Sequence, residues 1–316
     1  MAATASLRAL CESLIDYAGL FPPASLGMAP AVANYARYLR SAESWMLGRF
    51  ITPAARLDEF EAAASTFWSE PGPCWRVSVL VSENTVADLA AIRAFNAKHG
   101  ATNRVLIDSI EYRLQKIEDV TAIATVIPAN VTAYLEVPIA TPNGGFDSTA
   151  PELFLDAVLT AGAHSEGSIR AKIRTGGVKA EMIPPATDVL RFIAACAERN
   201  LAFKATAGLH HATAGSYPLT YERNATCGSM HGFLNLFLAS AALFSGSDRR
   251  TAADIFAFAF APADTSTFQF TDREFRGNNF SLSTEQINHC RKNFAIAYGS
   301  CSFEEPVADL RALNLL

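Results

Sequence analysis

Residues 168–208 read SIRAKIRTGGVKAEMIPPATDVLRFIAACAERNLAFKATAG, and this stretch decides the fold. Ser168–Arg174 and Ala202–Ala207 are short, largely apolar runs of strand length. Thr187–Arg199 between them carries an amphipathic helical pattern, and glycines follow each strand at Gly176-Gly177 and Gly208. Strand, glycine turn, helix, strand is the unit of a parallel sheet with its helices outside.

Working outward, the same alternation recurs. Strands are predicted at Leu14–Leu20, Gly48–Pro53, Arg76–Ser82, Arg104–Ile110 and Thr132–Ile139. Helices are predicted at Pro30–Leu39, Leu57–Phe67, Val86–Lys98 and Pro151–Ala161. With the quoted stretch this makes seven βα units of about 30 residues each. No glycine fingerprint of a dinucleotide-binding fold follows the first strand. A closed (β/α)8 TIM barrel, an α/β fold, is the expected architecture, as a single domain. Residues 1–245 form the barrel body, and 246–316 are a C-terminal extension that completes or caps it. After the helix Phe233–Phe244 at the end of the barrel body, the extension opens with a helical stretch at Thr251–Phe258. Short strands or a hairpin come next at Thr267–Phe270 and Glu274–Leu282, then a helix from Thr284 to about Phe294. The eighth strand is expected within these segments, and the region is expected to lie over the barrel mouth.

Composition narrows the function classes. The chain has 316 residues, half of them apolar and 18% charged, enough for a large core. A net charge of −5 gives no electrostatic reason to bind nucleic acid or an anionic membrane. The six cysteines are far apart with no CxxC pair, which suits a reducing compartment. Cys196 reads as a core residue and Cys301 as a turn residue open to solvent. The N-terminus has no signal-peptide pattern, and Gly232 to Phe244 is too short to span a bilayer. The expectation is a cytoplasmic protein with a small-molecule substrate, no cofactor, and self-association left open.

Chemistry in such a barrel sits at the C-terminal ends of the strands. The polar residues there are Asp16, Arg49 and Thr52, Asp108 and Glu111, then Glu136. The sixth strand offers Lys172, Arg174 and Thr175 before Gly176-Gly177, and the seventh Lys204 and Thr206 before Gly208, His210 and His211. Lysine is scarce, six against twenty arginines, yet two lie inside adjacent apolar strands. Two lysines sharing a barrel mouth would depress each other's pKa, leaving one neutral amine able to form a Schiff base. Against this stands a plainer reading, in which each lysine pairs with Glu136 or Asp108 as a structural ion pair. The glycine turns could present amides to an anion, or be no more than tight βα turns.

At these residues the chain resembles deoxyribose-phosphate aldolase, a class I aldolase family with a (β/α)8 fold. Leu14-Ile15-Asp16 with Leu20 looks like that family's first strand, and Arg49-Phe50-Ile51 like its Pro-Arg-Phe-Ile segment. Ile107-Asp108-Ser109-Ile110 is similar to its aspartate-bearing strand. Lys172-Ile173-Arg174-Thr175-Gly176 has the K-x-x-T-G pattern of its Schiff-base lysine. Lys204-Ala205-Thr206-Ala207-Gly208 is similar to the segment carrying its second lysine. The resemblance implies a lyase in which Lys172 is the nucleophile, Lys204 lowers its pKa, Asp108 relays protons at the carbinolamine and Asp16 shapes the pocket. Beside these, Glu136 is a candidate catalytic residue, and the strand-end and loop residues Arg49, Arg174, Thr175, Gly176, Gly177, Thr206, Gly208, His210 and His231 are candidates for substrate binding. The chain departs from the pattern at Glu136, where the family carries a lysine. It departs again at Ala207-Gly208-Leu209-His210, where a Gly-Gly-Val-Arg phosphate turn would stand. Gly299-Ser300-Cys301-Ser302 echoes the family's final phosphate turn.

Two other readings compete. His210, His231 and Glu136 could hold a divalent ion in a metal-dependent hydrolase or isomerase, or the barrel could bind a small ligand without catalysis. The long polar segment Ala212 to Met230 is expected to act as a lid over the mouth.

Overall fold

A computed structural model describes residues 3–68, 72–139, 151–257, 269–277 and 280–316. Eight parallel strands close into a barrel: Ile15–Tyr17, Leu47–Pro53, Trp75–Leu80, Val105–Arg113, Thr132–Glu136, Ser168–Arg174, Phe203–Thr206 and Ala295–Ser300. Each pairs with the next in that order, and the eighth returns to the first through Asp16 opposite Gly299. The chain is thus an α/β protein with the TIM-barrel architecture. Among the described residues no helix is long and apolar enough to cross a membrane.

The pleat explains the two environments along each strand. In the sixth strand Ala171 and Ile173 are fully buried, and the strand packs against the helices Pro151–Gly162 and Ala186–Glu198. The alternate residues Lys172 and Arg174 point into the barrel and meet carboxylates there. Lys172 stands opposite Lys204 in the register of the sixth and seventh strands, and opposite Glu136 in that of the fifth and sixth.

The eighth strand is Ala295–Ser300, beyond the segments in which it was expected. The helix before it, Thr284–Asn293, starts on a reciprocal cap in which the Gln286 amide N–H donates to Ser283 Oγ at 3.1 Å and Ser283 N–H to Gln286 Oε1 at 2.8 Å. Only Phe294 separates that helix from the strand. Tyr298 faces outward and stacks on Phe233 of the helix Phe233–Phe244, ring centroids 5.5 Å apart. The buried Arg291 guanidinium donates to the carbonyls of Leu10 at 2.7 Å and Glu12 at 3.1 Å, and to those of Ala295 and Ile296. It ties the N-terminal helix Ala5–Cys11 to the start of this last strand.

The C-terminal strands also lie elsewhere than expected. Gln269–Phe270, Glu274–Arg276 and Ser281–Ser283 form a small antiparallel sheet, Thr267 falling outside the described residues. Ser6 N–H donates to Thr271 O at 3.1 Å, which fixes this sheet against the N-terminal helix. That helix leads into the start of the first strand, so the sheet sits at the N-terminal end of the barrel, not over the mouth. The segment at the mouth is the antiparallel hairpin Gly215–Pro218 with Cys227–Met230, inside the stretch expected to be a lid.

Candidate active site

At the C-terminal end of the barrel the two lysines share one carboxylate. Glu111 reaches Lys204 Nζ with Oε1 at 2.6 Å and Lys172 Nζ with Oε2 at 2.8 Å. Lys172 is held on its other side by Glu136 Oε2 at 2.7 Å, and Lys204 by Asp16 Oδ2 at 2.5 Å. Ser78 Oγ donates to Glu111 Oε1 at 2.8 Å, and Arg174 Nε donates to Glu136 Oε1 at 2.9 Å. Asp16 is positioned by the Arg49 backbone N–H, 2.6 Å from its Oδ1. Gly48 permits that approach, since a Cβ there would lie 2.2 Å from the same oxygen.

The network sets its own protonation. Burial would raise the Glu111 and Glu136 carboxyls, but the adjoining cations outweigh it. Lys172 and Lys204 hold Glu111 far below the usual range, and Lys172 and Arg174 hold Glu136 at about 2. Burial would likewise lower Lys204, but Asp16 and Glu111 override it and raise its pKa. Mutual depression of the two lysines, expected from sequence, therefore does not describe Lys204, because Glu111 lies between the ammonium groups. The plainer ion-pair reading is the one the contacts display, with Glu111 and Asp16 as partners in addition to Glu136.

The lysines differ in access. Lys172 lines a cavity of about 240 Å³ at the barrel mouth, together with Glu111, Arg174, Thr206 and His210. Lys204 does not line it and is wholly enclosed, with its Nζ 5.4 Å from the centre of the Tyr134 ring.

Other expected residues fall in three places. Asp108 contacts neither lysine. It receives Arg49 Nε at 2.7 Å and Nη2 at 3.0 Å, and it is paired as well with Arg76. This cluster lies three residues nearer the strand's start than Glu111. Thr175, Gly176 and Gly208 make contacts between the two turns: Thr175 Oγ1 donates to Ala207 O at 2.6 Å, and a Cβ on Gly176 would lie 2.7 Å from Gly208 Cα. Gly208 takes a φ of +74°, which suits glycine. Gly177 and Thr206 do line the cavity.

The histidines separate. His210 lines the cavity with its Nδ1 3.3 Å from Glu305 Oε2 and 3.7 Å from Cys301 Sγ. Burial lowers its pKa, but hydrogen bonds to Cys301 and Glu305 carry it up to about 10. His231 Nε2 faces Pro184 O at 2.9 Å, and desolvation lowers its pKa. His210, His231 and Glu136 do not converge, and among the described residues no group of three or more His, Cys, Asp or Glu could hold a metal ion. His211 pairs with Asp309 at 3.1 Å and stacks on Tyr217.

Two site residues escaped the sequence-based assignment. Glu111 was visible as a strand-end carboxylate, but its offset of three from Asp108 puts the two on opposite faces of a regular strand. The register between the third and fourth strands slips here, Val77 facing Ile107 but Ser78 facing Ser109, so one extra residue restores Glu111 to the interior. Cys301 was expected in the open, yet it is buried at the end of the eighth strand and lines the cavity. The likeness to an aldolase rests on short motifs in an established barrel: no known family model matches this chain, and no curated protein matches it.

Proposed function

We propose that this barrel is a lyase of the aldolase type that acts on a small carbonyl compound through a Schiff base on Lys172. The observation that carries the reading is the position of Lys172, which lines the mouth cavity while Glu111 and Glu136 hold its amine. An entering carbonyl would meet this amine, and Glu111 or Glu136 is placed to take the proton that the ammonium must lose before attack. The same carboxylate can return a proton as the carbinolamine loses water. The resulting iminium accepts the electron pair of the C–C bond that breaks. Lys204 and Asp16 act as positioning residues, because their contacts fix Glu111 rather than reach the cavity.

Borohydride reduction in the presence of small aldehydes and ketones tests this by intact mass. Wild-type protein is expected to gain one reduced adduct, and Lys172→Met none while still unfolding in a cooperative thermal transition. Equal adduct on both proteins would refute the assignment.

The complete pairing of Lys172 favours a second reading, in which the ammonium stays protonated and the barrel binds a ligand without covalent chemistry. Ligand binding with no adduct over a broad carbonyl panel would select it.

A further inference from the structure

The cavity at the mouth has two unlike walls. The second and third strands and the loop after the first supply Phe21, Pro22, Ile51 and Leu80, and Val178 and Met182 from the loop after the sixth strand add to the apolar surface. On the sixth strand and the loop after the seventh the wall is cationic, with Lys172, Arg174 and His210. Among the described residues Glu111 is the single carboxylate on the lining, and both its oxygens are engaged by lysines.

Two of those cations keep donors free. Arg174 uses Nε on Glu136, and among the described residues its Nη groups have no partner. Those Nη groups form the outer edge of a planar guanidinium that matches an oxyanion. His210 directs Nδ1 to Glu305 and Cys301, which leaves Nε2 without a partner among the described residues. The ring is buried and yet lines the cavity. Burial works against a charge on this ring, but the hydrogen bonds to Cys301 and Glu305 outweigh it and raise the pKa, which favours the charged form.

We infer that the substrate is a carbonyl compound with a short apolar body and one oxyanion end, a carboxylate or a phosphate monoester, bound by Arg174 and His210. The inference rests on the lyase reading for the carbonyl end. A polyhydroxylated body would have to desolvate its hydroxyls against Phe21, Pro22, Ile51 and Leu80, which offer no partner. The volume of about 240 Å³ restricts the ligand to a small one.

Calorimetric titration with unreactive probes tests this without requiring an imine. Butyrate and butyl phosphate separate the two oxyanion sources, 1-butanol removes the charge, and glycerol 3-phosphate replaces the apolar body with hydroxyls. At least one of the two butyl anions is expected to bind about tenfold or more tighter than 1-butanol, and glycerol 3-phosphate more weakly than butyl phosphate. Arg174→Gln and His210→Gln should each remove most of the preference for the anion, and Arg174→Lys should restore part of it. Equal binding of alcohol and anions, tighter binding of glycerol 3-phosphate, or a preference untouched by both glutamine variants would overturn the inference. Failure to label Lys172 would defeat the lyase reading and leave this result standing. Loss of the oxyanion preference with Lys172 still labelled would defeat the inference alone.

Discussion

The barrel interior holds two charged clusters, and they differ in where along the strands they lie. The upper one joins Asp16, Glu111, Glu136, Lys172 and Lys204 near the C-terminal ends and is almost wholly buried. The lower one joins Asp108 to Arg49 and Arg76; Arg76 is the second residue of its strand, and 52% of its side chain is exposed. Both read in the sequence as polar residues interrupting apolar strands. Only the upper cluster borders the cavity. A charged residue within a barrel strand therefore says little until its level is known, since three residues along one strand separate Asp108 from Glu111.

The sharpest way to test that contrast is to break each cluster at one residue. Glu111→Gln leaves two buried lysines short of a partner, and urea unfolding should show a loss of about 3–5 kcal/mol. A loss below 1 kcal/mol would mean that the lysines find other partners. Next in size is the acid response. Glu136 is held at about 2 against an ordinary 4.5, so its contribution is present above the ordinary value and is lost as pH falls toward the lower one. The stability gap between wild type and Glu136→Gln should close over that window, and a gap independent of pH would count against the pairing. At the other end of the scale, His210 titrates at about 10 in place of 6.5. Its contribution is complete below the lower value and fades as pH rises through the upper one, so His210→Gln should flatten the alkaline limb of the wild-type stability curve. The smallest effect belongs to the lower cluster. Arg76→Ala leaves Asp108 with Arg49, and should cost about 0–1 kcal/mol with no change in the labelling of Lys172.

These regions also differ in how far the sequence exposes them. The first seven strands and most of the helices between them follow from periodicity, the short helix Glu118–Ala124 being missed, and the Ser168–Arg174 strand matches its predicted bounds. The eighth, AIAYGS, has Ile296 as its one β-branched residue and follows a helix after one residue, so both its β-forming composition and the turn signal before it are weak. Lys172 and Lys204 were legible because two lysines in adjacent apolar strands need a shared polar environment. Glu111 was hidden by the register slip beside it, and Cys301 by the unrecognised last strand. His231 misled through nearness in sequence, since the hairpin Gly215–Met230 carries it to Pro184, away from His210.

The central claim is that of the two lysines sharing Glu111, the one bordering the cavity is the nucleophile. Borohydride reduction of wild-type protein with a small aldehyde, followed by peptide mapping, compares them within one sample. The account predicts the reduced adduct on Lys172 with Lys204 unmodified; an adduct on Lys204, or on neither, would contradict it.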